Sequence, residues 1–155
     1  MSDRGAAVAA NPFRFDSTDP SGDKALFFSE LRAFGQSSGW PQSIANEIEL
    51  ILEEWWTNLI SYAFTETNEP VVKVEIGSTA QLAQIQVTDN GIAFDPAARP
   101  DPDFSLPVEE RPIGGLGIYM MKKLSNGLKS ERRGDRNILR IEKDVVHPVL
   151  GVGAV

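Results

Sequence analysis

Cysteine is absent from the 155 residues of this chain, and histidine occurs once, as His147. Without cysteine the chain has no disulfide framework and no thiolate metal site, and one histidine supplies neither a histidine-based relay nor a zinc centre. No stretch approaches the roughly 20 consecutive apolar residues that a membrane helix needs. Residues 1–11 also lack the apolar core of a secretory signal. We therefore expect a cytoplasmic protein without membrane contact.

Basic residues are also in the minority. Lysine and arginine number 15 against 22 aspartates and glutamates, which gives a net charge of −7. Because an acidic chain repels a phosphate backbone, nucleic acid is not expected as a partner. The hydrophobic fraction of 41% is ordinary for a soluble globular domain. We expect one domain over residues 12–144, a disordered segment at residues 1–11 and a C-terminal tail at residues 145–155.

The spacing of apolar residues predicts the secondary structure. Helical spacing is found over residues 26–34, over residues 41–62 and, more briefly, over residues 115–124. Period-two alternation predicts strands near residues 72–76, 83–87, 128–132 and 137–143, with a short one at residues 13–15. We therefore predict an α+β fold, a two-layer α/β sandwich in which three helices cover one face of a mixed, mostly antiparallel sheet.

Glu54 and Asn58 form the first motif with chemical potential. They are four residues apart in the second predicted helix, so they share one face beside its apolar stripe. A carboxylate can orient or deprotonate a nucleophile, and an amide oxygen suits Mg²⁺. The same pair is also common on solvated helix surfaces, so both interpretations remain open. Between them, Trp55 is assigned to the core and Trp56 to either the core or a partner surface.

Asp89 and Gly91 form the second motif. Alternation after Ile85 and Val87 places Asp89 on the inner face of its strand. A carboxylate aimed at the core needs a donor, and an exocyclic amine such as the adenine N6 would serve. Gly91 would let a ligand ring approach the backbone closely. The run Asp89-Asn90-Gly91 is also a good turn sequence by itself, which is the second interpretation.

The third motif is the glycine run Gly114-Gly115-Leu116-Gly117 before the third helix. Helix N-termini attract anions through unpaired N–H groups, and glycines let the backbone wrap a phosphate. No Gly-Lys-Ser/Thr follows, so this is not a Walker loop. A flexible hinge between loop and helix is the alternative interpretation.

A proline-rich segment over residues 96–112 joins the second motif to the third. A loop of this length between a base site and a phosphate site is well placed to act as a lid. Arg99 and Arg111 could reach a phosphate from it, or they could only balance the neighbouring acidic residues. We favour charge balance for Arg99 and leave both interpretations open for Arg111.

The three motifs, taken in order, resemble the N, G1 and G2 boxes of the GHKL ATPases. Within that superfamily the resemblance is to the short anti-sigma factor serine kinases of bacterial partner-switching systems, and it covers residues 12–143. The matching segments are Glu54-Trp55-Trp56-Thr57-Asn58, Val87-Thr88-Asp89-Asn90-Gly91-Ile92-Ala93-Phe94-Asp95-Pro96 and Gly114-Gly115-Leu116-Gly117-Ile118.

This resemblance implies a Bergerat-type site that binds ATP and Mg²⁺. Glu54 would be the general base, Asn58 would hold Mg²⁺, Asp89 would accept the adenine amine and Gly91 would pack on the base. Gly115 and Gly117 would line the phosphates. The other residues of the boxes implied in nucleotide binding are Phe94, Gly114, Leu116 and Ile118.

The activity implied by the resemblance is transfer of the terminal phosphoryl group of ATP to a serine of a small antagonist protein. Family members also bind a sigma factor and often form homodimers. Two alternatives remain, namely an ATP-sensing module that binds a partner without phosphoryl transfer and a detached histidine-kinase ATP-binding domain. Glu54 favours the kinase. Ser61 and Tyr62 stand where the family often has a basic or imidazole side chain, which favours the module. In the last strand, the family usually has a threonine near the adenine, and Asn137 is its nearest counterpart here.

Overall fold

The computed structural model describes residues 11–110 and 116–146, and within these ranges the chain forms three α-helices and one five-stranded sheet. The helices are α1 (Pro20–Ser37), α2 (Gln42–Asn58) and α3 (Leu116–Leu124). The strands are β1 (Phe13–Ser17), β2 (Val72–Ser78), β3 (Leu82–Asp89), β4 (Gly127–Arg133) and β5 (Arg136–Asp144). Residues 1–10, Arg111, Gly114, Gly115 and His147 lie outside the described residues, as does the tail beyond residue 146.

The sheet has the strand order β1-β2-β3-β5-β4, and each neighbouring pair is antiparallel. The predicted α+β fold is confirmed, and the described sheet is antiparallel throughout rather than mixed. None of the helices in these ranges is long and apolar enough to cross a membrane. Val145, at the start of the predicted tail, is buried and its N–H donates to the Gln81 carbonyl at 3.0 Å.

The core lies between the inner face of the sheet and the helices, and Trp56 is at its centre. This side chain is fully buried, and its ring stacks on Phe27 with a centroid distance of 4.5 Å. Its indole N–H donates to the Pro20 carbonyl at 2.8 Å, so the polar end of the ring is satisfied inside the core. Trp56 therefore belongs to the core and not to a partner surface.

The second helix changes its winding where it reaches the site. It was predicted as one helix to Tyr62, but α2 ends at Asn58 and a π-helical turn follows over Leu59–Ala63. The carbonyl of Ala63 accepts the N–H of Ile92, 2.9 Å away in the loop after β3. Single π-helical turns are frequent at functional sites, and this one joins the helix to the loop that follows Asp89.

Lys143 fixes the two helices that flank the site against the sheet. Alternation along β5 turns its side chain inward, where it is buried. The ammonium donates to Glu47 of α2 at 2.7 Å and to the carbonyl of Leu124, the last residue of α3, at 2.5 Å. A cation at a helix C-terminus satisfies orphan carbonyls, so Lys143 stabilises the position of both helices.

Candidate functional site

A cavity of about 430 Å³ opens between α2, α3 and one end of the sheet. Its volume lies in the range usual for small-molecule sites. Among the described residues, four that the motifs predicted line this cavity, and they come from α2, the end of β3, the loop after it and α3. These four are Asn58, Asp89, Phe94 and Ile118. The fold therefore brings parts of all three motifs to one place.

Asp89 lines the cavity, and the hydrogen bonds recorded for its carboxylate use one of its two oxygens. The residue is only 5% exposed. Its Oδ1 accepts the N–H of Gly91 at 2.8 Å and the side-chain amide of Asn137 at 3.0 Å. In the described part of the chain no hydrogen bond uses Oδ2, which is therefore left for a donor from a ligand.

The environment of Asp89 disfavours its charged form. Burial raises the pKa of the carboxyl above its ordinary value. The hydrogen bonds from Asn137 and Gly91 and the positive charges of Arg132 and Arg136 oppose this rise without cancelling it. A buried carboxyl group whose charged form is disfavoured, beside a cavity, is typical of a functional site.

Asn137 holds Asp89 and the following loop together. It lies opposite Asp89 in the β3–β5 register. Its amide nitrogen also donates to the carbonyl of Ile92 at 2.7 Å, and its oxygen accepts from the backbone of Phe94 at 3.2 Å and from Arg132 at 3.1 Å. Asn137 lines the cavity as well, which agrees with its selection from the sequence as the nearest counterpart of the family's threonine.

Gly91 is required by the packing of the chain against the π-helical turn. A Cβ at this position would lie 2.6 Å from the Ala63 Cβ and 2.7 Å from the Ala63 carbonyl oxygen. No side chain fits there without moving the backbone. The structure thus shows Gly91 packed closely against Ala63. The packing of Gly91 on a nucleotide base remains a prediction.

Asn58 is oriented by its own helix. Its side-chain nitrogen donates to the backbone carbonyl of Glu54 at 2.9 Å. This bond leaves the amide oxygen for the cavity, which Asn58 lines. A neutral oxygen held in this way is a suitable ligand for Mg²⁺, which binds few protein ligands and keeps waters and phosphate oxygens.

The first and third motifs touch through Glu54 and Gly117. A Cβ on Gly117 would lie 2.1 Å from the Glu54 Oε2, so the carboxylate lies directly against the first turn of α3. A helix N-terminus favours negative charge, which is consistent with this placement. Glu54 is not among the residues that line the cavity, and Leu116 is 55% exposed and also outside its lining.

The residue before the proline-rich segment, Asp95, contacts both the sheet and the start of that segment. Asp95 accepts the N–H of Ala98 at 3.2 Å and the hydroxyl of Ser130 on β4. The next residue, Pro96, is buried and lines the cavity. Arg99 lines the cavity too, and the interpretation that this arginine only balances nearby acidic residues stays a prediction.

These features define a class of protein. The chain belongs to the family of histidine kinase-like ATPase domains, which it matches over residues 21–143, and the resemblance drawn from the three motifs is confirmed.

Individual relatives are protein kinases by name. The chain is 24% identical over 102 residues to the serine/threonine-protein kinase BtrW of Bordetella bronchiseptica, covering 66% of this chain and 72% of that protein. It is 27% identical over 109 residues to the serine-protein kinase RsbW of Bacillus cereus, covering 68% of each.

Proposed function

We propose that this protein is an ATP-dependent serine kinase and anti-sigma factor, which phosphorylates a small antagonist protein and sequesters a sigma factor. The observation that carries the proposal is Asp89, a buried carboxylate with one oxygen left for a ligand, at a cavity in a histidine kinase-like ATPase fold. The names of the two relatives support the serine kinase activity. The partners and a possible homodimeric assembly are what the resemblance implies, and we also propose a cytoplasmic location.

Nucleotide binding would use the cavity from Asp89 outward. The adenine amine would donate to Asp89 Oδ2, while Gly91, Phe94 and Ile118 would pack around the nucleoside. The phosphates would lie toward the start of α3, at the backbone of Gly114, Gly115, Leu116 and Gly117. We place the whole domain in residues 12–144.

The metal would be held by the amide oxygen of Asn58. When bound, Mg²⁺ neutralises charge on the phosphates, which is the main requirement of phosphoryl transfer beside positioning. The bond from the Asn58 nitrogen to the Glu54 carbonyl fixes which side-chain atom faces the cavity.

Glu54 would act on the protein substrate. In the transfer step the serine oxygen forms a bond to the terminal phosphorus, the bond from that phosphorus to the bridging oxygen breaks, and Glu54 accepts the serine proton. Its carboxylate lies at the start of α3, on the side where the phosphates are expected.

A binding module that does not transfer phosphate is the second candidate. Tyr62 lines the cavity and is 66% exposed, at the position where the family often has an imidazole or basic side chain. This replacement removes a charged contact, and Glu54 does not line the cavity in this structure. Both observations would fit an ATP sensor.

The two candidates are distinguished by phosphoserine on the antagonist protein. Incubated with Mg-ATP, the wild-type protein is expected to phosphorylate its cognate antagonist, and Glu54→Gln is expected to bind ATP but leave the antagonist unmodified. Glu53→Gln is the matched control, because Glu53 pairs with Lys24 at 2.5 Å on the helix surface. Mass spectrometry reports the modification. ATP binding by the wild type with no phosphoserine would refute the kinase and support the module.

A further inference from the structure

Arg99 occupies an unusual position for a lid residue. Its side chain is half-buried and lines the cavity. Of the lining residues in the described part of the chain, two are charged, and they are Asp89 and Arg99. No carboxylate in the described ranges pairs with the Arg99 guanidinium, and the nearby Asp101 lies 3.6 Å from Lys122 instead.

The overall negative charge of the protein makes a cation at the cavity important for binding an anion. A chain with a net charge of −7 opposes the approach of a polyanion, so local positive charge must offset that field at the site. Arginine is well suited, because its planar guanidinium can donate two parallel hydrogen bonds to a phosphate. Asp89 already supplies the acceptor that a base amine needs, and Arg99 is the one cation among the lining residues in the described part of the chain.

The lid segment that carries Arg99 is fixed to α3. Lys122 donates to the backbone carbonyl of Arg99 and also pairs with Asp101. Farther along the lid, Phe104 packs edge-on against Tyr119, with 5.1 Å between the ring centroids. Tyr119 and Lys122 are three residues apart and share one face of α3. A cation held in place before binding loses less conformational freedom when the ligand arrives.

We propose that Arg99 binds the phosphate groups of the nucleotide and that Lys122 is the residue that positions it. This inference rests on the proposed ATP site and adds to it a specific phosphate contact from the lid. It also assigns a role to Lys122, whose ammonium acts through the backbone of Arg99 and not on the nucleotide.

Calorimetric titration with ATP and with adenosine tests the role of Arg99. Arg99→Ala is expected to weaken ATP binding by about 10-fold or more, the scale of a lost charge-assisted hydrogen bond, and to leave adenosine binding unchanged. Arg99→Lys should retain part of the ATP affinity, because it keeps the charge and loses the fork. Arg133→Ala is the control, since Arg133 is an exposed arginine paired with Glu131 on β4.

A double-mutant cycle tests the role of Lys122. Lys122→Met should weaken ATP binding in the wild-type background, Lys122→Arg should restore it, and Lys122→Met should have no further effect when combined with Arg99→Ala. Additive losses would show that Lys122 acts independently of Arg99 and would overturn its positioning role.

The outcomes separate this inference from the proposed function. If the wild type binds ATP and Arg99→Ala binds it equally well, the Arg99 contact is refuted and the ATP site stands. Equal losses for ATP and adenosine, in a variant with wild-type thermal stability, would refute the phosphate contact as well. If the wild type binds no ATP, the proposed function itself fails.

Discussion

Asp89 shows how a single residue can be unfavourable for the fold and useful for the site. Its Oδ1 is fully used by Gly91 and Asn137, and burial raises the pKa of the carboxyl. Its Oδ2 makes no hydrogen bond in the described part of the chain, although the residue is buried and lines the cavity. The effect of this buried charge on the stability of the protein can therefore be measured without any ligand.

Asp89→Asn is predicted to be at least as thermally stable as the wild type at neutral pH. The asparagine oxygen can accept the same two hydrogen bonds, while the buried charge is removed. Because the folded-state pKa of Asp89 is raised, its contribution to the free energy of unfolding falls as pH rises from the ordinary aspartate value through the raised one. The variant's advantage in Tm should therefore be full above the raised pKa and should narrow as the pH is lowered through it toward the ordinary aspartate value. A clear fall in Tm at neutral pH would show that the carboxylate stabilises the fold.

At the scale of elements, the π-helical turn and the loop after β3 form one unit. Gly91 packs on Ala63, and Ile92 donates to the Ala63 carbonyl. The loop in turn carries Phe94 to the cavity mouth, where this side chain is 43% exposed. Changes that separate the loop from the turn should therefore affect stability and the site together.

Gly91→Ala is predicted to destabilise the protein by about 1–3 kcal/mol, the usual cost of overpacking. The added methyl group would lie within 2.7 Å of Ala63 backbone and side-chain atoms, and neither can move freely. Chemical denaturation measures the change in the free energy of unfolding. Gly127→Ala is the control in a strand, since its nearest contact would be an ordinary 3.6 Å. Equal stabilities of the two variants would contradict the packing described for Gly91.

The sequence predicted those elements whose signal is local. Helical and alternating patterns identified all three helices and the strands of the described ranges, and alternation alone placed Asp89 on the inner face. The sequence did not predict the π-helical turn, because Leu59 and Tyr62 continue the apolar spacing of the helix. The change in winding accompanies a hydrogen bond from Ile92, which is distant in the chain. The position of Arg99 at the cavity likewise accompanies a distant contact, because Lys122, 23 residues away, donates to its carbonyl.

At the scale of the whole molecule, the fold assembles the site from segments far apart in the chain. The sheet register brings Asn137 to Asp89, the buried Lys143 joins α2 to the end of α3, and the start of α3 meets Glu54. We propose that this assembly is an ATP site organised around Asp89. The affinity and nucleotide specificity of this site can be measured before any protein partner is identified.

The most direct test is calorimetric titration of the wild type and of Asp89→Asn with ATP and GTP in the presence of Mg²⁺. We predict one ATP site in the wild type and weaker binding of GTP, which lacks the N6 amine. Asp89→Asn should lose about 1–3 kcal/mol of ATP binding free energy, the scale of a buried hydrogen bond to a charged group. Equal affinity of the wild type and the variant for ATP, or of the wild type for ATP and GTP, would contradict the account.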